Sequence, residues 1–271
     1  VPAARWHLIA DLESGKAFAH EVGYPVFVKP DGGMGASGSY KISSDEEMER
    51  FYAGKENVPY IMEEYLCGDI WSYDGVSDSK ANVIFETCTS WPPSIADIVN
   101  NKDHLAYYTA SNLPDDLKEV GRNTIKAFNV RSRFFHLEFF RLREDKPGLA
   151  RKGELVALEV NMRPAGGWTP DMFNYANSVD VYSIWADMVT HDKTFVDLDR
   201  QKFFAVYAGR RNGKPYVHTP EEIRARYAGR IVMDLDIPEA ISGAMGNHQW
   251  TAILDTAEQK DEFIHFVQET Y

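Results

Sequence analysis

Phe135-His136-Leu137-Glu138-Phe139-Phe140 and Leu155-Val156-Ala157-Leu158-Glu159-Val160-Asn161-Met162-Arg163 decide how this chain is read. Side chains along a strand alternate with period two. His136 and Glu138 therefore fall on one face of the first run, and Glu159, Asn161 and Arg163 on one face of the second. Between the runs, Pro147-Gly148 and Lys152-Gly153 are turn signals that read as a hairpin connection. Pairing the runs brings Glu138 opposite the Glu159 region. Clustered carboxylates repel unless a cation sits between them. Two Glu and one Asn carbonyl are hard oxygen donors suited to Mg²⁺, which keeps waters and substrate phosphates as its other ligands. Arg163 beside them would clamp a transferring phosphoryl group. The competing reading is an exposed sheet face with complementary charges.

Three further stretches carry chemistry. Val26-Phe27-Val28-Lys29-Pro30 is a short strand that delivers one lysine, and Gly32, Gly33, Gly35 and Gly38 follow within seven residues up to Ser39. Glycines let a backbone approach a ligand and turn successive N–H groups into a concavity that favours phosphate. The spacing matches neither the P-loop nor the dinucleotide fingerprint. A hairpin tip with a solvated lysine reads equally well. Ile61-Met62-Glu63-Glu64-Tyr65-Leu66-Cys67-Gly68-Asp69 ends an apolar strand in two carboxylates. It can offer backbone groups to a flat heterocycle, or simply run into an exposed turn. Pro164-Ala165-Gly166-Gly167-Trp168 leaves room for a substrate or makes a tight turn.

Strand and helix patterns alternate along the remaining chain. Leu8 to Val22 reads as a helix ended by Gly23, and Ser44 with Glu47 as a capping box opening a helix to about Tyr52. Trp71 to Val76 and Ala81 to Thr89 read as paired strands, and Trp91-Pro92-Pro93 opens a long loop. Pro114 to Phe128 and Met172 to Val189 read as helices, as does Ala257 to Gln268 behind Thr256 and Gln259. The layout is α+β, with helices over mostly antiparallel sheets.

The chain has 271 residues, a formal net charge of −12 and two cysteines, Cys67 and Cys88. So acidic a surface disfavours nucleic acid. Two cysteines outside any metal-type spacing suit a reduced, intracellular chain, and no apolar run is long enough to span a membrane. The start at Val1-Pro2, without an initiator Met, reads as a piece of something longer.

In order along the chain, these features resemble the ATP-grasp superfamily. The nearest likeness is to its carboxylate–amine ligases and the related biotin carboxylase and carbamoyl phosphate synthetase domains. It is carried by Gly23 to Pro30, the glycine loop to Ser39, Glu63-Glu64-Tyr65-Leu66, Glu138, and Glu159-Val160-Asn161-Met162-Arg163-Pro164. The resemblance implies two α/β lobes with largely antiparallel sheets clasping ATP. The small lobe would be 1–66 with a glycine-rich lid, and the large lobe 67–195 with the metal site. A C-terminal α/β extension, 196–271, would pack on the large lobe. A preceding α/β domain and a further basic residue just before Val1 are expected outside this chain.

The resemblance also assigns roles. Lys29 would contact ATP phosphates and act in catalysis with Arg163. Gly32, Gly33, Gly35 and Ser37 would belong to the lid. Glu63 would meet the adenine amino group, with Glu64, Tyr65 and Leu66 alongside, Glu64 and Leu66 through their backbones. Glu138, Glu159 and Asn161 would hold Mg²⁺ or Mn²⁺. The slot where the family often places a ribose-binding Glu falls on Ile70, which leaves Asp69 beside it as the candidate. His136, Trp91 and Trp168 could line an acceptor pocket, though each also suits a core or surface role.

The implied activity is ADP-forming ligation of a carboxylate, activated as an acylphosphate, to an amine. A non-catalytic ATP-binding regulatory module and a bicarbonate- or carbamate-phosphorylating enzyme are the alternatives. Phosphoryl transfer is mostly positioning and charge neutralisation, which is what these residue types supply. The expected partners are small-molecule acids and amines in the cytoplasm, without nucleic acid or membrane, and a homodimer stays open. For Val1–Tyr271 by itself, ATP binding is a firmer expectation than turnover.

Overall fold

The computed structural model describes residues 1–32, 38–91 and 103–271. They form two compact units, Val1–Gly68 with Phe140–Leu158, and Asp69–Phe139 with Glu159–Tyr271.

The first unit is built from β1 (Trp6–Leu8), α1 (Leu12–Val22), β2 (Val26–Pro30), β3 (Tyr40–Ile42), α2 (Asp45–Gly54) and β4 (Tyr60–Glu64). The sheet order is β1-β4-β2-β3, antiparallel throughout. Val26, Val28, Tyr60 and Met62 alternate inward and meet Phe18, Val22, Met48 and Phe51 from the two helices. The helix expected from Leu8 starts later. Leu8 closes β1, and Asp11 caps α1 by accepting from the Ser14 N–H (2.8 Å) while Ser14 Oγ accepts from the Asp11 N–H (3.2 Å). Apolar Leu8 and Ile9 continue the helical pattern in sequence, but the reciprocal cap decides the boundary. Gly23 ends α1 at φ +84°, as expected. Ser44 caps α2 through the Glu47 N–H, whereas the Glu47 carboxylate reaches the Ser43 N–H (2.7 Å) instead of the cap's own.

The chain continues with β5 (Gly68–Ser77), β6 (Val83–Trp91), β7 (Ala106–Thr109), α3 (Asp115–Ala127), β8 (Arg133–Leu142), β9 (Leu155–Asn161), α4 (Thr169–Asn177) and α5 (Val181–His191), all in the second unit except Gly68 and the 140–142 and 155–158 parts of β8 and β9, which belong to the first. It continues with β10 (Phe204–Arg210), α6 (Pro220–Arg226), β11 (Ile231–Asp236), α7 (Glu239–Met245), β12 (His248–Leu254) and α8 (Ala257–Gln268). Eight strands form one sheet in the order β11-β12-β10-β7-β6-β5-β8-β9. Met172, Ala176, Tyr107, Ala205 and Tyr207 make one core, and Val76, Phe85, Phe134, Phe173, Ile184 and Met188 another.

The single helix expected over Met172–Val189 is two. Ser178 sits in the left-handed region at φ +53°, and Asp180 then caps α5 by accepting from the Tyr182 and Ser183 N–H groups. Polar residues that bond their own backbone interrupt an apolar period that continues on both sides. The strand expected from Ala81 begins at Val83, because Ala81 is a turn residue at φ +62° and Asp78 accepts from the Lys80 and Asn82 N–H groups. Close packing fixes two glycines. A Cβ on Gly75 would lie 2.0 Å from the Phe85 carbonyl oxygen, and one on Gly121 would lie 2.3 Å from the Tyr73 ring. The C-terminal helix runs Ala257–Gln268 behind its Thr256 cap, as expected.

Candidate functional site

The sequence-derived site residues fall into two groups, one in each unit. Strands β8 and β9 are hydrogen-bonded neighbours at one end of the eight-stranded sheet, which puts Glu138 on one strand and Glu159 and Asn161 on the next, all three in the second unit. His136 and Glu138 do share a face: His136 Nε2 lies 2.9 Å from Glu138 Oε1. On the other side of the ring, His136 Nδ1 lies 2.6 Å from Asp74 Oδ1 on β5. Ser72 Oγ donates to Asp74 Oδ2 (2.5 Å). Asp74 is fully buried and His136 is 4% exposed, whereas the Glu138 side chain is 19% exposed.

An imidazole facing a carboxylate at each nitrogen donates at both. Burial pulls the His136 pKa down, but the charges and hydrogen bonds of Asp74 and Glu138 outweigh it and raise the value to about 10. Sequence reading missed Asp74. Its signal was Ser72-x-Asp74, two polar residues at period two in a run that is otherwise aromatic and apolar.

Glu159 is exposed. Asn161 is half-buried, and its Nδ2 has no hydrogen-bond partner among the described residues. Arg163 departs from the expected alternation. β9 ends at Asn161, and Arg163 lies in the bend beyond it, exposed, donating from Nη1 to the Pro164 carbonyl (2.9 Å). Pro164 has no N–H to extend the ladder. Among the described residues no group of three or more His, Cys, Asp or Glu side chains could hold a metal ion. The expected set contains two carboxylates and one carboxamide, an all-oxygen donor set of the kind hard cations take.

The expected pocket-lining residues have other contacts. Trp91 is buried and stacks on Tyr107 (ring centroids 3.9 Å), which stacks on Tyr207 (4.7 Å). Trp168 packs against that cluster. Residues 92–102 of the loop expected after Trp91 lie outside the described residues. Asp69 is half-buried in β5.

In the first unit Lys29 Nζ pairs with Glu63 Oε2 at 2.9 Å, because β2 and β4 place Phe27 opposite Glu63 and Lys29 one step along. Glu64 faces the other way. Its side chain is fully buried and accepts from the Arg5 backbone N–H (2.8 Å), Arg5 Nε (3.2 Å) and Arg5 Nη2 (2.9 Å), with Lys146 Nζ at 3.5 Å. Burial would raise the Glu64 pKa, but the Arg5 bonds and charge, with Lys146, bring it below the ordinary carboxylate value. The carboxylate is therefore committed, which leaves only the Glu64 backbone for a ligand.

Lys146 also donates to the Tyr65 carbonyl (3.3 Å), and Lys41 Nζ lies 4.3 Å from the centre of the Tyr65 ring. Leu66 is buried with Leu142 and Val156. Gly32 is exposed in the bend after β2, while Gly33, Gly35 and Ser37 lie outside the described residues. Arg5 and Lys146 were not anticipated, since nothing in their local sequence marks them as partners of Glu64.

Residues 1–60 match the family described as carbamoyl-phosphate synthase L chain, ATP binding domain. The carbamoyl phosphate synthase large chain of Clostridium botulinum is 32% identical over 88 residues, which is 31% of this chain and 8% of that protein. The matched stretch is thus a small part of the relative. Among solved structures, the L-amino acid ligase from Bacillus licheniformis superimposes with a TM-score of 0.69 at 13% identity, covering 98% of this chain and 66% of that one. The biotin carboxylase domain of the Hydrogenobacter thermophilus 2-oxoglutarate carboxylase, solved with MgADP, ADP and bicarbonate, gives 0.66 at 15% identity, covering 98% and 62%.

The chain has the ATP-grasp fold.

Identities of 13–15% carry the fold and leave the chemistry to the residues. The resemblance to the ATP-grasp superfamily is borne out at the level of the fold. Among the described residues no helix is long and apolar enough to cross a membrane.

Proposed function

We propose that this ATP-grasp chain binds ATP with Mg²⁺ and serves an ADP-forming ligase. A carboxylate attacks the γ-phosphate to give an acylphosphate and ADP, and an amine then displaces phosphate to form a C–N bond. The observation that carries the proposal is the acidic pair Glu138 and Glu159 with Asn161 on adjacent strands, Glu138 being held by a buried histidine. Binding alone needs no such set. Glu138, Glu159 and Asn161 would hold the metal, which when bound neutralises charge on the phosphates.

The chain's own residues supply the rest. Lys29 leaves Glu63 to meet phosphate, Glu63 turns to the adenine amino group, and the Glu64 and Leu66 backbones border the base. Gly32 would border the phosphates and Asp69 the ribose; Gly33, Gly35 and Ser37, expected to act with Gly32, lie outside the described residues. Arg163, exposed beyond β9, stabilises the transferring phosphoryl group. Mn²⁺ would substitute for Mg²⁺ on the same oxygen donors.

A second reading, in which the phosphorylated acid is bicarbonate or carbamate, is favoured by the match of residues 1–60 to the carbamoyl-phosphate synthase ATP-binding domain. Both readings give ADP. A product screen across acid and amine pairs, with bicarbonate among the acids, tests them together. ADP is expected in every case, with phosphate where an amine displaces it and without it where carbamate keeps the phosphoryl group; AMP with pyrophosphate overturns both. Glu159→Gln should cut turnover about 100-fold or more while leaving nucleotide binding in place, since it removes a charge needed chiefly as phosphate leaves ATP.

A further inference from the structure

We propose that His136 is a positioning residue for Glu138: anchored by Asp74, it holds one carboxylate oxygen of Glu138 so that the other is presented to the metal. This rests on the function proposed above. The geometry is a chain of hydrogen bonds that starts in the core and ends at a partly buried carboxylate. Ser72 Oγ donates to Asp74 Oδ2, Asp74 Oδ1 accepts from His136 Nδ1, and His136 Nε2 donates to Glu138 Oε1. Each link is short, at 2.5, 2.6 and 2.9 Å in that order. The first two acceptor–donor pairs sit at or near zero exposure. Glu138 Oε2 has no hydrogen-bond partner among the described residues.

A histidine kept only for packing would not be set between two carboxylates, because burying charge is costly unless every member is paired. With Asp74 behind it, the ring cannot swing away from Glu138. The glutamate then loses one rotational freedom before any cation arrives instead of when it binds. Partners of this kind behind a ligand are commonly worth about 10- to 100-fold in metal affinity.

The test uses Mn²⁺ as the probe, titrated against the intact chain with ADP and followed by electron paramagnetic resonance. ADP affinity without metal and thermal melting are measured alongside. His136→Asn keeps a donor where Nδ1 stands, facing Asp74, and removes the one facing Glu138. It should weaken Mn²⁺ binding about 10-fold or more, with metal-free ADP affinity unchanged. His136→Gln, whose amide reaches further out, should restore part of the loss. If His136→Asn gives no cooperative melt, Asp74→Asn decides. It leaves an oxygen to accept from Nδ1 but removes the charge that anchors the ring, and should weaken Mn²⁺ several-fold.

Folded variants that bind Mn²⁺ as tightly as the parent, while Glu138→Gln does not, overturn the role of His136 and leave the metal site standing. Parent-like Mn²⁺ binding by Glu138→Gln overturns both.

Discussion

The two groups of site residues differ in how their charges are held before any ligand arrives. In the first unit Lys29 and Glu63, both expected to face the nucleotide, are paired with each other, and the neighbouring Glu64 is tied to Arg5 and Lys146. In the second unit Glu138 is held from behind through His136 and Asp74, while Glu159 is exposed. On the proposed function the first group would have to exchange partners to bind, whereas in the second Glu159 is already exposed. The contrast follows from strand register. β2 and β4 pair so that lysine and glutamate side chains meet across the ladder, whereas β5 and β8 put an acid behind a histidine.

Acid should separate the two units most strongly. His104 in the second unit lies 2.7 Å from the Tyr216 hydroxyl, and burial, with Lys214 and Arg211 nearby, lowers its pKa to about 4. The unfolded chain takes up a proton near pH 6.5 that the folded site refuses. The His104 site therefore costs no stability above pH 6.5 and costs progressively more as pH drops toward 4, by on the order of 2–3 kcal/mol. Urea melts read by hydrogen exchange in each unit should show this slope in the second and not in the first. His104→Gln should flatten it, and a slope that persists would remove His104 as its source.

The Glu64 carboxyl lies below the ordinary value, so its contribution is present at neutral pH and is lost only as pH falls through that lowered value. Its partner gives the next largest effect. Arg5→Ala leaves a fully buried carboxylate with the Arg5 backbone N–H and a lysine at 3.5 Å. A loss of about 1–3 kcal/mol is expected in a denaturant melt, and no loss would mean that Lys146 suffices.

The smallest stability effect belongs to the pair expected to be most functional. Lys29 and Glu63 are partly exposed, so Lys29→Met should change stability by less than about 1 kcal/mol. Calorimetry should nonetheless show ATP binding weakened about 10-fold. Parent-like ATP affinity would take Lys29 out of the nucleotide site and remove the partner exchange that distinguishes the first group.

Much of this was legible in the chain itself. The runs around Glu138 and Glu159 alternate with period two, and they fold as neighbouring strands with His136 and Glu138 on one face. Gly23, Ser44 and Thr256 end or open helices where their side chains, or the lack of one, dictate. Other boundaries were not legible. Periodicity cannot see a reciprocal cap at Asp11 behind apolar Leu8 and Ile9, nor the left-handed Ser178 that divides Met172–Val189. Arg163 looked like the next member of a strand that Pro164 had already stopped.

The sequence by itself determined which residue types lie on which strand, the α+β order and the candidate acids Glu138 and Glu159, because those depend on local period and on turn chemistry. Only the tertiary structure decided what each charge meets. Asp74 lies 62 positions from His136, and Arg5 lies 59 from Glu64. Such partners are chosen by which strands the sheets place side by side, and no local pattern encodes that. Whether a buried carboxylate is a committed anchor or a presented ligand is therefore a property of the folded sheet.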